Sequence, residues 1–119
     1  MRDQLHFETR NDFPSFLNEC GLVGKGAEIG VQEGAFSEHI LRNWKGSALF
    51  SIDAWQNFDA DEYVDISNVS DDNQILLYVS TTLRLSPFGK RSIVWRMTSE
   101  QAASTMPDNT LDFCYLDAD

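Results

Sequence analysis

The stretch GAEIGVQEGAFSEHIL, residues 26–41, sets a carboxylate, Glu28, beside two glycines, Gly30 and Gly34, at the end of a short apolar run. Glycine has no Cβ, so both positions let the chain turn tightly and let a ligand approach the backbone. A dinucleotide-binding turn usually reads G-x-G-x-x-G, its second glycine admitting a pyrophosphate to a helix N-terminus. Gln32 stands at that second position, and Glu28 and Glu33 add negative charge nearby. Pyrophosphate is therefore disfavoured. A ligand with an ammonium and a sulfonium group, and no phosphate, suits these residues better.

Three further groups follow later apolar runs. Asp53 ends SALFSID, where a carboxylate can accept hydrogen bonds from both hydroxyls of a ribose. Ala54 and Trp55, just beyond, offer a flat apolar surface to an adenine or a substrate. Thr98 and Ser99 follow RSIVWRM; their hydroxyls can cap a helix and can also face an adenine edge. Asp117-Ala118-Asp119 follows LDFCYLD, two acids that a buried strand carries only for a reason, unless they are simply solvated.

These groups need elements to position them. DFPSFLNEC, residues 12–20, predicts a helix with Asp12 as N-cap, Pro14 in the first turn and Gly21 as its stop. GAEIGV predicts a strand running into the glycine turn. Phe36, Ile40, Leu41 and Trp44 then recur at helical spacing up to Lys45-Gly46. SALFSID is near-continuously apolar, as a buried parallel strand is. Residues 70–84 predict a helix with Ile75, Leu76, Val79 and Leu83 on one face and Ser70 as cap. RSIVWRM predicts a third strand. TSEQAAS begins a helix in which Thr98 and Gln101 have capping-box spacing, and LDFCYLD predicts a fourth strand. Strand–helix alternation of this kind implies parallel strands with right-handed crossovers in an open α/β sheet, whose ligands bind beyond the carboxyl ends of the strands.

The chain as a whole sets bounds. Its 119 residues, 42% hydrophobic, suit a single globular domain over 1–119. A net charge of −10 argues against a reader of nucleic-acid backbones, which needs a basic face. Cys20 and Cys114 lie far apart and read as reduced thiols. No secretory segment follows Met1 and no apolar run reaches the ~18 residues of a membrane span, so a cytoplasmic location is expected. Asn68-Val69-Ser70 fits a glycosylation sequon, which carries no weight without a secretory signal. The acidic run DADEYVD, residues 59–65, fails as a calcium loop because Tyr63 and Val64 occupy a ligand position and the glycine position. It reads as a solvated loop, in which Phe58 and Tyr63 are candidates to close on a ligand.

AEIGVQEG, SIDAW, RMTSEQAA and MPDNTLDFCYLDAD resemble the successive motifs of class I S-adenosylmethionine-dependent methyltransferases. The likeness is to the small-molecule branch whose fourth strand ends in Asp-(Gly/Ala)-Asp-His, and it covers residues 12–119. It implies a Rossmann-like three-layer sandwich with an open, mainly parallel sheet, represented here by strands 3-2-1-4 of the family's seven. It implies S-adenosylmethionine as cofactor, with Glu28 contacting the methionyl ammonium, Gly30, Val31, Gln32, Gly34 and Ser37 lining the cofactor, and Asp53 on the ribose. It further implies Ala54 and Trp55 flanking the adenosine, Thr98 and Ser99 on the adenine, and Asp117 facing the methyl-transfer centre. In some metal-dependent relatives the matching acid is a magnesium ligand; nothing else in this sequence supports a metal. Gln32 replaces a frequent middle glycine, and the chain stops before the expected His, so it resembles an amino-terminal, cofactor-binding half.

An uncovered fourth strand would present an unpaired edge, from which self-association as a homo-oligomer is expected. Two other functions stay open: a nicotinamide-dependent oxidoreductase on a similar sheet, disfavoured by Glu28 and Gln32, and a non-catalytic oligomeric binding module. Among candidate bases, His39 reads as an ordinary half-exposed helical residue, His6 has no assigned role, and Asp117 is the one retained.

Overall fold

The computed structural model describes residues 9–56 and 71–117. His6, the acidic run with Phe58 and Tyr63, the sequon, the Ser70 cap, Ala118 and Asp119 lie outside the described residues. Eight elements follow one another: α1 (Phe13–Glu19), β1 (Lys25–Ile29), α2 (Ala35–Asn43), β2 (Ala48–Asp53), α3 (Asp71–Leu85), β3 (Ser92–Arg96), α4 (Ser99–Thr105) and β4 (Phe113–Leu116). The four strands form one parallel sheet in the order β3-β2-β1-β4, with β2 paired to both β1 and β3, and β1 to β4. Helices lie against both faces, which makes the fold a partial Rossmann-like α/β sandwich.

The strand pleat sorts residues to the two faces. Leu49 of β2 and Phe113 and Tyr115 of β4 join Leu17, Phe36, Ile40, Leu41, Trp44 and Leu85 beneath α1, α2 and α3. Ala27, Phe50 and Ile52 point the other way and pack with Ala102 of α4, flanked by Ile29, Ile93, Trp95 and Met106. All but the last residue of β2 is buried, as its near-continuous apolar run demands of a central parallel strand.

Local chemistry explains the ends of the elements. Thr98 accepts from the backbone N–H of Gln101 at 3.1 Å while its own N–H donates to Gln101 Oε1 at 2.9 Å, the expected capping box. Pro14 sits in the first turn of α1, and Gly21, at φ 75°, turns the chain out of it. Asp12 holds the N-cap position of α1 without a capping bond. A 3₁₀ turn, Arg10–Asp12, runs straight into the helix and leaves Asp12 in helical backbone; Thr9 caps that turn instead, accepting from Asn11 N at 3.2 Å. The C-terminus of α2 is held by Arg91, whose guanidinium donates to the carbonyls of Leu41, Trp44 and Gly46 at 2.8–3.1 Å.

Helix α3 is present, but the apolar face anticipated for it is turned outward. Leu76 and Leu83 are 61% and 69% exposed, with Ile75 and Val79 beside them, whereas Thr81 and Leu85 face inward. The inward side carries Thr81, whose Oγ1 donates to Gln32 O at 2.7 Å, and Leu85, which joins the core beneath α2. Among the described residues both cysteines are free and no helix is long and apolar enough to cross a membrane.

Gly26 of β1 lies under the Phe113 ring, and a Cβ there would come within 1.9 Å of a ring carbon. Phe113 packs edge-on against Trp44 and Phe13, so its ring has little room to retreat. We expect Gly26→Ala to destabilise the fold by about 1–3 kcal/mol through overpacking, read as a lower urea midpoint with an unchanged slope; an unaltered midpoint would show that the ring moves freely.

Candidate functional site

The four strands end side by side. Beyond their paired residues, Gly30 N donates to Ile52 O at 3.0 Å, Met97 N to Asp53 O at 2.9 Å and Asp117 N to Ile29 O at 2.8 Å. These contacts carry the parallel ladder into the loops and bring Gly30, Asp53, Met97 and Asp117 to one rim. The four stretches selected from the sequence thus converge, although they are far apart along the chain.

The turn between β1 and α2 is built around Asp53. Its Oδ2 accepts from the N–H groups of Val31 and Gln32, both at 2.9 Å, and its Oδ1 from Trp55 N at 2.8 Å. Gly30 and Gly34 have φ of 91° and 87°, and Gln32 has φ 59°. Gln32 therefore fills a left-handed position that glycine would adopt without strain. Its carbonyl is held by Trp55 Nε1 at 2.8 Å and Thr81 Oγ1 at 2.7 Å, so the unusual conformation is fixed from both sides of the peptide. Gly34 starts α2 against Thr81, whose methyl carbon would lie 3.0 Å from an added Cβ.

Two consequences bear on the expected roles. A carboxylate offers about four lone-pair sites, and backbone donors occupy three on Asp53, leaving capacity for one of the two ribose hydroxyls. Trp55 is only 1% exposed and packs on Tyr78, so it presents its backbone rather than an open indole face.

Glu28 is the most unusual group. It is 1% exposed, and one oxygen, Oε1, accepts from Ser37 Oγ at 2.5 Å. Ser37 Oγ lies 2.8 Å from Ser51 Oγ; since Ser37 gives its proton to the carboxylate, Ser51 is the donor in that pair. The other oxygen, Oε2, is buried without a hydrogen-bond partner. Burial pushes the Glu28 carboxyl up to about 7, against the Ser37 hydrogen bond and the Arg10 charge, which pull it down.

Two cavities lie on either side of the glycine turn. One, of about 180 Å³, is lined by Arg10, Glu28, Val31, Gln32, Glu33, Ala35, Phe36 and Asp117. The other, of about 190 Å³, is lined by Ile29, Gly30, Ile52, Asp53, Ala54, Met97, Thr98 and Ser99. The first is lined by three acids, Glu28, Glu33 and Asp117, with one arginine; the second is lined mainly by apolar residues, with Asp53, Thr98 and Ser99 among them. Ser37 lies beneath the first, behind Glu28.

Arg10, Ser51 and Thr81 complete the site without having been singled out in the sequence. Ser51 had a visible signal, a hydroxyl inside an apolar strand; Arg10 and Thr81 had none. His39 is not part of the site: its Nε2 donates to Asn11 O at 2.7 Å, which ties the first turn of the described chain to α2. Asp117 Oδ2 lies 3.1 Å from Arg10 Nη1, and among the described residues no three His, Cys, Asp or Glu side chains gather as metal ligands. Comparison with protein-family models and with curated proteins finds no match.

The raised Glu28 pKa is also a statement about stability. The folded chain holds this proton more tightly than the unfolded chain, whose carboxyl titrates near 4.5. Glu28 therefore costs nothing below about pH 4.5, becomes costly as pH rises through about 7, and above that weighs against folding by about 3 kcal/mol. Glu28→Gln removes the titration. We expect the stability difference between variant and parent to grow in the variant's favour between pH 4.5 and 8 in urea unfolding; parallel pH profiles would contradict it.

Proposed function

We propose that this cleft binds S-adenosylmethionine and that the protein serves methyl transfer to a small molecule. The observation that carries the reading is Glu28, a residue that lines a cavity beside a tight glycine turn and keeps one buried carboxylate oxygen, Oε2, without a donor. Such an oxygen is costly to bury, and an incoming ammonium group supplies both the missing donor and the missing charge. The methionyl arm enters the acidic cavity on Glu28, and the adenosine lies in the neighbouring one. There Asp53 takes one ribose hydroxyl, Ala54 and the Trp55 backbone flank the nucleoside, and Thr98 and Ser99 meet the adenine edge. Gly30, Val31, Gln32 and Gly34 supply the backbone between the two, and Ser37 holds Glu28 from behind.

The cofactor supplies an electrophilic methyl group on a cationic sulfur. The protein's part is to hold that group in line with a nucleophile, excluding water and favouring the cation by its carboxylates. Asp117, on the rim at the end of β4, is the residue facing the transfer centre. Magnesium has no support from the described side chains, since Asp117 already faces the Arg10 guanidinium. A cytoplasmic setting accords with the two free thiols.

Titration calorimetry with S-adenosylhomocysteine tests this directly. At pH 6.5 binding should release up to one proton from Glu28, so the measured heat should vary with the ionisation enthalpy of the buffer. Asp53→Ala should abolish the binding heat. It also strips three backbone N–H groups of their acceptor, so a thermal melt must accompany it. Heat with NADH and none with S-adenosylhomocysteine would replace this reading by an oxidoreductase. Cofactor binding with no methyl transfer to any small nucleophile would favour a binding module.

Self-association belongs to the same reading. It is supported by the outer position of β4 in the described sheet, by Leu116 at 70% exposure, and by the outward apolar face of α3. Light scattering should show a mass that rises with concentration in the micromolar range; a constant monomer mass would exclude it.

A further inference from the structure

The acidic cavity contains its own cation. Arg10 Nη1 is 3.1 Å from Asp117 Oδ2, and the guanidinium carbon stands 3.9 Å above the centre of the Phe36 ring and 5.8 Å from that of Tyr115. The 3₁₀ turn that bears it is fastened by the Thr9 cap and by His39 on Asn11 O, so the guanidinium is oriented before any ligand arrives. Glu28, whose buried Oε2 has no partner, lines the same cavity.

We propose that Arg10 recognises the carboxylate of an α-amino-acid arm whose ammonium group goes to Glu28, making it the residue that selects a zwitterionic arm over a bare nucleoside. The inference rests on the cofactor reading above and deepens it. Glu28, Glu33 and Asp117 attract an ammonium group, but they repel the carboxylate attached to the same carbon. One fixed cation in the same cavity removes that conflict. A guanidinium carries five N–H donors in a planar fork, enough to keep Asp117 and take a second carboxylate. Asp117 then holds Arg10 in place as well as facing the transfer centre.

The test compares three ligands on the full chain by calorimetry. S-adenosylhomocysteine has both charged groups of the arm, decarboxylated S-adenosylmethionine lacks the carboxylate, and 5′-methylthioadenosine lacks the whole arm. Arg10→Gln should weaken S-adenosylhomocysteine by ~10-fold or more, the scale of a lost charge-assisted pair, and leave 5′-methylthioadenosine within about twofold. The decarboxylated compound should bind the variant no worse than the parent, because its unpaired ammonium no longer meets a neighbouring cation. Arg10→Lys should recover part of the loss, and guards against a folding defect in the first variant. Equal weakening of all three ligands, or none, would overturn the role of Arg10 while leaving the cofactor reading intact. Failure of the parent protein to bind any of the three would remove both.

Discussion

The Asp53 carboxylate is the constraint on which the site depends. By accepting from Val31 and Gln32 it fastens the loop after β1 to the end of β2, and by accepting from Trp55 it folds the following loop back over the same point. Without this anchor the left-handed conformation of Gln32 would rest only on the Trp55 and Thr81 bonds to its carbonyl, and the N–H groups of Val31 and Gln32 would lose their acceptor. The same acid is then only partly free for a ligand. Its structural work comes first, and whatever it offers a ribose is the remainder.

Glu28 shows the opposite allocation. Its nearest donors are one serine hydroxyl relayed from another, and half of the carboxylate is left without a partner in a buried setting. A fold optimised for stability alone would place an apolar residue there, as it does at Ala27 on the opposite face. Keeping an acid where it costs free energy makes Glu28 the leading candidate for a functional role.

Much of the architecture was legible in the sequence because it rests on local, periodic signals. The continuous apolar run of β2, the helical spacing from Phe36 to Leu41, and the Thr98–Gln101 box each specify an element by chemistry contained within it. The order β3-β2-β1-β4 was anticipated only through the resemblance to methyltransferases; alternation alone gives parallel strands, not their sequence across the sheet. The candidate site was legible where residues stand at or just beyond the last residues of a strand, as Glu28, Asp53, Thr98 and Asp117 do. It was not legible where a partner arrives from a distant element. Thr81 reaches the glycine turn from α3, and Arg10 reaches Asp117 and Phe36 from the first described turn, and nothing in their neighbours' identities shows that. The outward face of α3 has a similar cause: periodicity reports that a stripe exists but not which side faces the sheet, and here that side carries Thr81 and Leu85. Asp12 holds the N-cap position as expected but makes no capping bond, because the preceding 3₁₀ turn, which residue types do not reveal, leaves it in helical backbone.

The three-way grip of Arg91 on Leu41 O in the last turn of α2 and on Trp44 O and Gly46 O just past it has a mechanical meaning. The helix is nine residues long, so that grip lies about 13 Å from its glycine-bounded start. Asn18 of α1 adds a second clasp there, donating to Asn43 O and accepting from Lys45 N, both at 2.8 Å. With its far end pinned by two independent elements, α2 behaves as a strut. The tilt at which it presents Ser37 to Glu28 is thus set at the helix's far end, by residues that touch neither of them.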